Sequence, residues 1–340
     1  MSASLFRRSG GASLTHLRTT LASLAPRLPA REKLRELLVR ELDVLPMPGG
    51  GHTLARWQAL AAVGRSDLAL AKLYEGHTDA LAILHELGAT FAVPARASWG
   101  VWAAEGPRSR VSLEVRNGRA TLHGPKQWCS GARAVSHALV TAWGEAGSQL
   151  VAVALDQPGL DISESAFVGP GMAETVTADV TFHGAACELV GAPGAYLSRP
   201  GFWHGGAGVA ACWYGGASGV AEALRSAPQR DPFAHAALGK VDLWMHAAAA
   251  ALRDAARFVD GQPMADAQRV VHRARLAAER AALRTLELAG GVLGPAAYCR
   301  NAHFARAAAD LTVFVRQSHG ERDLAALGAQ VAAGDEPFDL

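Results

Sequence analysis

Residues 124–132 read Gly124-Pro-Lys-Gln-Trp-Cys-Ser-Gly-Ala132. They continue an alternating run, Arg119-Ala-Thr-Leu-His123, and join a turn signal to a lysine, a tryptophan and a hydroxyl. Side chains i and i+2 of a strand share a face. The spacing therefore predicts Trp128 and Ser130 on one side and Cys129 on the other, so Cys129 is not proposed as a nucleophile. One of the pair supplies a flat apolar wall and the other a hydrogen-bond donor. A tryptophan at a strand end beside a serine that caps a turn accounts for the same residues.

Working outward, short runs separated by Gly, Pro and Asn predict strands over Val111–Val115, Arg119–His123, His137–Trp143, Gln149–Leu155 and Glu174–Phe182. In the last, Val176, Ala178, Val180 and Phe182 alternate with Thr177, Asp179 and Thr181, the pattern of a half-buried strand. Asn117-Gly118 is a two-residue hairpin signal. Antiparallel strands at this spacing predict a small barrel or sandwich over residues 93–195.

Both flanks read as helix. Within Ala59–Gly88, Leu70, Leu73, His77, Leu81, Leu84 and Leu87 recur at three- and four-residue spacing and form one apolar stripe. His77 is placed in the core, and Gly88 is a stop signal. After residue 196, the segments Gly201–Arg225, Ala236–Asp260 and Met264–Gly290 are long and Ala-rich, and a fourth spans Asn301–Ala333 with a break near Gly320. Four such helices predict a bundle. Their alanines and glycines permit close packing and contacts between subunits. The domain organisation expected is 1–92 helical, 93–195 β and 196–340 bundle.

The bulk numbers agree with an enzyme-sized globular chain. It has 340 residues, half of them hydrophobic and 19% charged, enough to bury a large core. A net charge of +2 is too small to draw nucleic acid electrostatically. Cys129, Cys187, Cys212 and Cys299 form no C-x-x-C pair, which argues for reduced thiols in a cytoplasmic protein and against a metal site. No apolar run reaches the ~18 residues of a membrane span. The first thirty residues hold Arg7, Arg8, Arg18 and Arg27 and no acidic residue. That composition suits a transit peptide, but Ala and Arg are abundant throughout, and a basic N-terminal arm is the expectation. Neither a P-loop nor a G-x-G-x-x-G between strand and helix is present, so a Rossmann nucleotide site is not expected.

The stretch Gly124, Lys126, Trp128, Cys129, Ser130, Gly131, Ala132 resembles the G-x-K-x-W-[IC]-[ST]-[NG]-[AG] pattern of the acyl-CoA dehydrogenase superfamily. The resemblance runs over about residues 55–330. Gly100-Val-Trp-Ala-Ala-Glu105 is similar to the first flavin-contacting strand, A-L-T-E-P, with Ala104 in the threonine position. Gly169–Phe182 is similar to the closing strand that leads into the bundle. Gly208-Val-Ala-Ala-Cys-Trp-Tyr-Gly215 resembles G-I-A-A-Q-A-L-G on the first bundle helix. Arg230-Asp-Pro-Phe233 resembles the R-x-x-F before the next helix, and Gly290-Gly291 the turn that ends the third.

The resemblance implies an α+β fold: an N-terminal helical domain, a central antiparallel β-domain and a C-terminal four-helix bundle. It implies FAD as cofactor, with Trp128 against the isoalloxazine ring and Ser130 at N5. It places Ala104, Arg230, Phe233, Gly290 and Gly291 at the cofactor, with Arg230 reaching the pyrophosphate of a neighbouring subunit in a homodimer or homotetramer. A guanidinium suits phosphate through its bidentate fork, while a solvated loop arginine reads the same way. The activity implied is α,β-dehydrogenation of an acyl thioester or related substrate, with an electron acceptor. Trp203 and His204 would line the substrate cavity.

The chain departs from the family at the catalytic base. The usual glutamate follows an R-D pair on the last bundle helix. Here Ala309-Asp310 takes that pair's place, and the residues that follow read Arg316-Gln-Ser-His-Gly-Glu-Arg-Asp323. The alternative position on the first bundle helix falls on Gly205 or Gly206. His319 or Glu321 is then the candidate base, since histidine exchanges protons near neutrality. A flavin-dependent monooxygenase on the same scaffold, and a non-catalytic acyl- or flavin-binding homologue, are the alternatives.

Overall fold

The computed structural model describes residues 13–106, 110–164, 167–227, 231–334 and 337–338. Residues 1–12 of the basic arm and Arg230 lie outside the described residues. In chain order the elements are α1 (Leu14–Ser23), α2 (Ala30–Val39), α3 (Thr53–Ser66), α4 (Leu68–Glu86), β1 (Trp99–Trp102), β2 (Ser112–Arg116), β3 (Arg119–Cys129), β4 (His137–Gly144), β5 (Gly147–Ala154), β6 (Leu160–Ser163) and β7 (Ala178–Val190). Then follow α5 (Ala195–Ser198), α6 (Gly201–Arg225), α7 (Pro232–Gly261), α8 (Gln268–Arg300), α9 (Ala302–Phe314) and α10 (Glu321–Ala333). The chain forms two compact units. One gathers residues up to Pro46 with Ala69–Phe202, the other Met47–Leu68 with Trp203 onward.

In the first unit, Asn117 and Gly118 both adopt positive φ (52° and 75°) and join β2 to β3 with Arg116 opposite Arg119. Positive φ at both central residues is what a hairpin following the strand twist requires. Sheet order runs β1-β4-β2-β3-β7-β5, and β4 also pairs β5, which closes the sheet on itself. The closure leans on two parallel pairings, β1 with β4 and β2 with β4, so the β-domain is mixed where antiparallel pairing alone was expected. Leu122, Ala138, Val140, Val151, Val153, Val180 and Phe182 fill its interior.

On α4, Leu70, Leu73, His77 and Leu84 are buried as the stripe predicts. His77 is a satisfied core residue. Its Nδ1 accepts the Trp99 N–H (3.2 Å), so Nε2 carries the proton toward Asp43 (3.1 Å). The Ala59–Gly88 segment is two helices rather than one, because Asp67 turns to extended backbone between them.

In the second unit α6, α7, α8 and the α9–α10 pair supply the four rods of the bundle, the last interrupted at Ser318–Gly320. α6 receives α3 on a glycine face. A Cβ on Gly215 would lie 2.1 Å from the Ala61 carbonyl, and one on Gly64 would lie 2.5 Å from that of Cys212. These glycines serve packing within the chain. Gly290-Gly291 lie in the last turn before α8 breaks at Gly294 (φ 62°, ψ −170°), and a second helical stretch begins at Pro295 and runs to Arg300. A Cβ on Gly290 would lie 2.3 Å from the hydroxyl of Tyr298 in that second stretch.

Candidate functional site

β3 does not carry its alternation through to Trp128. Its register against β7 shifts between Lys126 and Cys129, and Trp128 has φ +62°. Lys126 and Cys129, three residues apart, are both fully buried, while the Trp128 indole is 62% exposed. A bulge, not the pleat, turns the indole outward. Left-handed backbone at a tryptophan costs about 1–2 kcal/mol, and strain of this kind gathers at ligand sites. Phe167 meets the indole edge-on at 5.2 Å. Inside the strand, burial raises the Cys129 thiol well above its ordinary range, which agrees with its having no nucleophilic role.

Ser130 follows directly and is fixed from three sides. Its N–H donates to the Trp128 carbonyl (3.0 Å), its own carbonyl accepts the Trp102 indole N–H (3.0 Å), and the next amide, of Gly131, donates to Thr175 (2.9 Å). Gly100 makes room for the Trp102 indole, since a Cβ there would lie 2.9 Å from Nε1. Ser130 Oγ lies 3.3 Å from the Thr177 hydroxyl, which also meets Thr175 Oγ1 (2.8 Å), and Thr175 in turn donates to the Met172 carbonyl (2.7 Å). Ser130 also lines a small cleft with Lys72, Gly76, Trp99 and Val135. Trp102 and Thr177 stood in the quoted sequence segments without a role. Their tie to Ser130 depends on β1 and β7 arriving beside β3, which spacing does not reveal.

The motif lysine has a structural partner set. Lys126 Nζ, wholly buried, donates to the Thr141 hydroxyl (2.8 Å) and carbonyl (3.1 Å), with Glu105 Oε1 at 3.4 Å. Glu105 in turn accepts from the Thr141 hydroxyl (2.9 Å) and the Trp143 indole (3.1 Å). Burial lowers the ammonium's pKa, and the Glu105 carboxylate opposes that shift. Ala104, just before Glu105, is exposed past the end of β1.

The second unit holds the remaining candidates. His204 is 3% exposed, and Trp203 meets His272 of α8 edge-on (4.9 Å, 85°). His272 is also buried, its Nδ1 makes no hydrogen bond among the described residues, and burial lowers its pKa. His319 is 64% exposed, with Nδ1 3.3 Å from Asp323 Oδ1. Glu321 is exposed in the first turn of α10, where a carboxylate favours the helix N-terminus. Arg275 of α8 reaches the Gly206 carbonyl (2.5 Å) and the Gln317 carbonyl (3.5 Å). Ser318 donates to Glu279, also on α8 (2.5 Å). His272, Arg275 and Glu279 share one helix face at i, i+3, i+7, a spacing present in the sequence and passed over.

The Arg230–Phe233 segment has a local account. Asp231 caps α7, accepting the Ala234 N–H (2.8 Å), and Pro232 takes the first helical position. Phe233 is 83% exposed.

These placements can be set beside solved structures. The glutaryl-CoA dehydrogenase of Mycobacterium smegmatis superposes with a TM-score of 0.78 at 19% identity, covering 97% of each chain. The butyryl-CoA dehydrogenase of Megasphaera elsdenii gives 0.79 at 17% identity, covering 94% of this chain and 97% of its own. The chain has the acyl-CoA dehydrogenase fold. FMN-bound TdsC of Paenibacillus sp. A11-2, described elsewhere as a dibenzothiophene monooxygenase, shares this fold with a TM-score of 0.76 at 20% identity, covering 95% of this chain and 96% of its own. No protein-family model and no curated protein matches the sequence.

Proposed function

We propose that the chain is a flavin-dependent oxidoreductase that takes a proton and a hydride from adjacent carbons of an acyl thioester or related substrate. The observation that carries this is the Trp128 indole, turned outward by a strained bulge two residues before the Ser130 hydroxyl. When bound, the flavin supplies the hydride acceptor. Trp128 backs the ring, and Ser130 donates to N5. FAD is the form proposed, with Arg230, Phe233 and Ala104 as its further contacts. Gly290 and Gly291, in the last turn of α8 before its break at Gly294, are proposed as further contacts.

His319 is the proposed proton acceptor. Asp323 at 3.3 Å holds the proton on Nδ1 and leaves the Nε2 lone pair free to act. Glu321 is set aside for its place at the α10 terminus. Trp203, with His272 against its edge, and His204 are proposed to shape the substrate pocket. A homodimer or homotetramer is the proposed assembly, with Arg230 reaching the cofactor of a neighbouring subunit.

A second reading, oxygenation on the same scaffold, is favoured by the absence of a carboxylate at positions 205, 206 and 319. One experiment separates the two. Purified protein is tested for bound FAD or FMN, then offered a panel of acyl-CoA thioesters without oxygen, and separately a reductant with ¹⁸O₂. Bleaching of the flavin by a thioester supports dehydrogenation. Label in an organic product supports oxygenation. Colourless protein that takes up neither flavin overturns both.

A further inference from the structure

The segment Gln317–Gly320 that carries His319 has little regular structure of its own. It follows a single 3-10 turn, Val315–Gln317, and ends at Gly320 with φ +51°. Its hold comes from α8. Arg275 Nη2 donates to the Gln317 carbonyl (3.5 Å), and Nη1 donates to the Gly206 carbonyl on α6 (2.5 Å). One helical turn on, Glu279 Oε2 accepts the Ser318 hydroxyl (2.5 Å), and Ser318 Oγ accepts the Gly320 N–H (3.3 Å). Before His319, Gln317 and Ser318 are thus tied to charged groups, whose hydrogen bonds are stronger than neutral ones, and after it Gly320 is held through the Ser318 hydroxyl. The guanidinium itself is seated 4.9 Å over the Trp213 ring.

The glycine at 206 belongs to the same arrangement. A Cβ there would stand 3.7 Å from Arg275 Nη1, so any longer side chain would enter the space the guanidinium fills. The bare glycine at 206 and the α8 guanidinium therefore fit together in space. Around His319 the charged and titratable groups are Asp323 on α10 and His272, Arg275 and Glu279 on α8.

We propose that Arg275 and Glu279 form a clamp on Gln317–Gly320 that fixes the orientation and tautomer of the His319 imidazole. They are positioning residues. They act through the Gln317 carbonyl and the Ser318 hydroxyl, and Asp323 then meets Nδ1 in a set geometry. The proposal rests on the assignment of His319 as proton acceptor only for its purpose, since the clamp is a property of the chain alone.

The test is the ¹⁵N spectrum of histidine-labelled full-length protein, in which the His319 ring is identified by its loss in His319→Gln. It needs neither flavin nor substrate. Wild type is expected to show one tautomer with the proton on Nδ1. Glu279→Ala and Ser318→Ala should each mix the tautomers, while Glu279→Gln, whose amide oxygen still accepts from Ser318, should restore the wild-type signals. Ring signals unchanged in folded Glu279→Ala and Ser318→Ala would overturn the clamp. If the signals shift but His319→Gln turns over as fast as wild type, the clamp stands and the proton-acceptor assignment falls.

Discussion

Lys126 puts an ammonium where no solvent reaches it, and the sign of the consequence can be worked out. Its folded pKa is lowered from 10.5, chiefly by burial. The unfolded chain then binds the proton more tightly than the folded one, so stability rises as pH climbs toward the unfolded value. The buried thiols of Cys129 and Cys187, raised by burial, act in the opposite sense over the same alkaline range. The Lys126 contribution is therefore read as a difference: the urea midpoint of wild type relative to Lys126→Met should shift in favour of wild type as pH rises toward 10.5. Ser130→Ala is a separate matter. It removes a half-buried hydroxyl and should change unfolding free energy by less than ~0.5 kcal/mol. Flavin reduction followed by stopped flow should slow about 10²-fold, the scale of one lost donor at a reacting centre. The types of these residues could be read from the motif, but their geometry could not. The bulge that exposes Trp128 exists because β7 meets β3 out of step, and β7 begins 49 residues later.

Among the elements, α6 shows where periodicity stops informing. Its glycines suggested close packing or contacts between subunits, and Gly208, Gly215, Gly216 and Gly219 face α3 and Leu68. A small-residue face says that something approaches closely and does not say what. Gly215→Ala forces a methyl to 2.1 Å from a backbone carbonyl that cannot rotate away. The cost should reach or exceed the ~1–3 kcal/mol of ordinary overpacking, read as a shift in urea midpoint. α8 was missed in a different way. Its polar face was visible at helical spacing, but attention fell on the histidine in the exposed loop rather than on the helix that holds the loop. Hairpin and helix-stop signals were local, at Asn117-Gly118 and Gly88, and for that reason they were legible.

For the whole molecule, order of elements carried the fold: helices, then closely spaced strands, then four long helices. Pairing beyond the local hairpins was invisible, because β4 joins β1 and β2, and β7 joins β3, from distances the pattern does not encode. The flavin assignment also belongs to this scale. A ligand that binds only the folded state stabilises by about 2.7 kcal/mol at a concentration 100-fold above its Kd. Adding FAD, or FMN, to apoprotein should raise the melting temperature by several degrees, and a flat response to both would remove the flavin assignment.

Closure of the sheet also bears on how the chain is made. β7 is the strand that covers the open edges of both β3 and β5, and it ends at Val190. Until the ribosome has released that residue, two strands, one of them the valine- and alanine-rich β5, wait with bare backbone edges, the template on which chains pair wrongly. Biosynthesis of this protein thus has a vulnerable interval, opened when β3 emerges and ended by a single late strand, and chaperone demand should concentrate there.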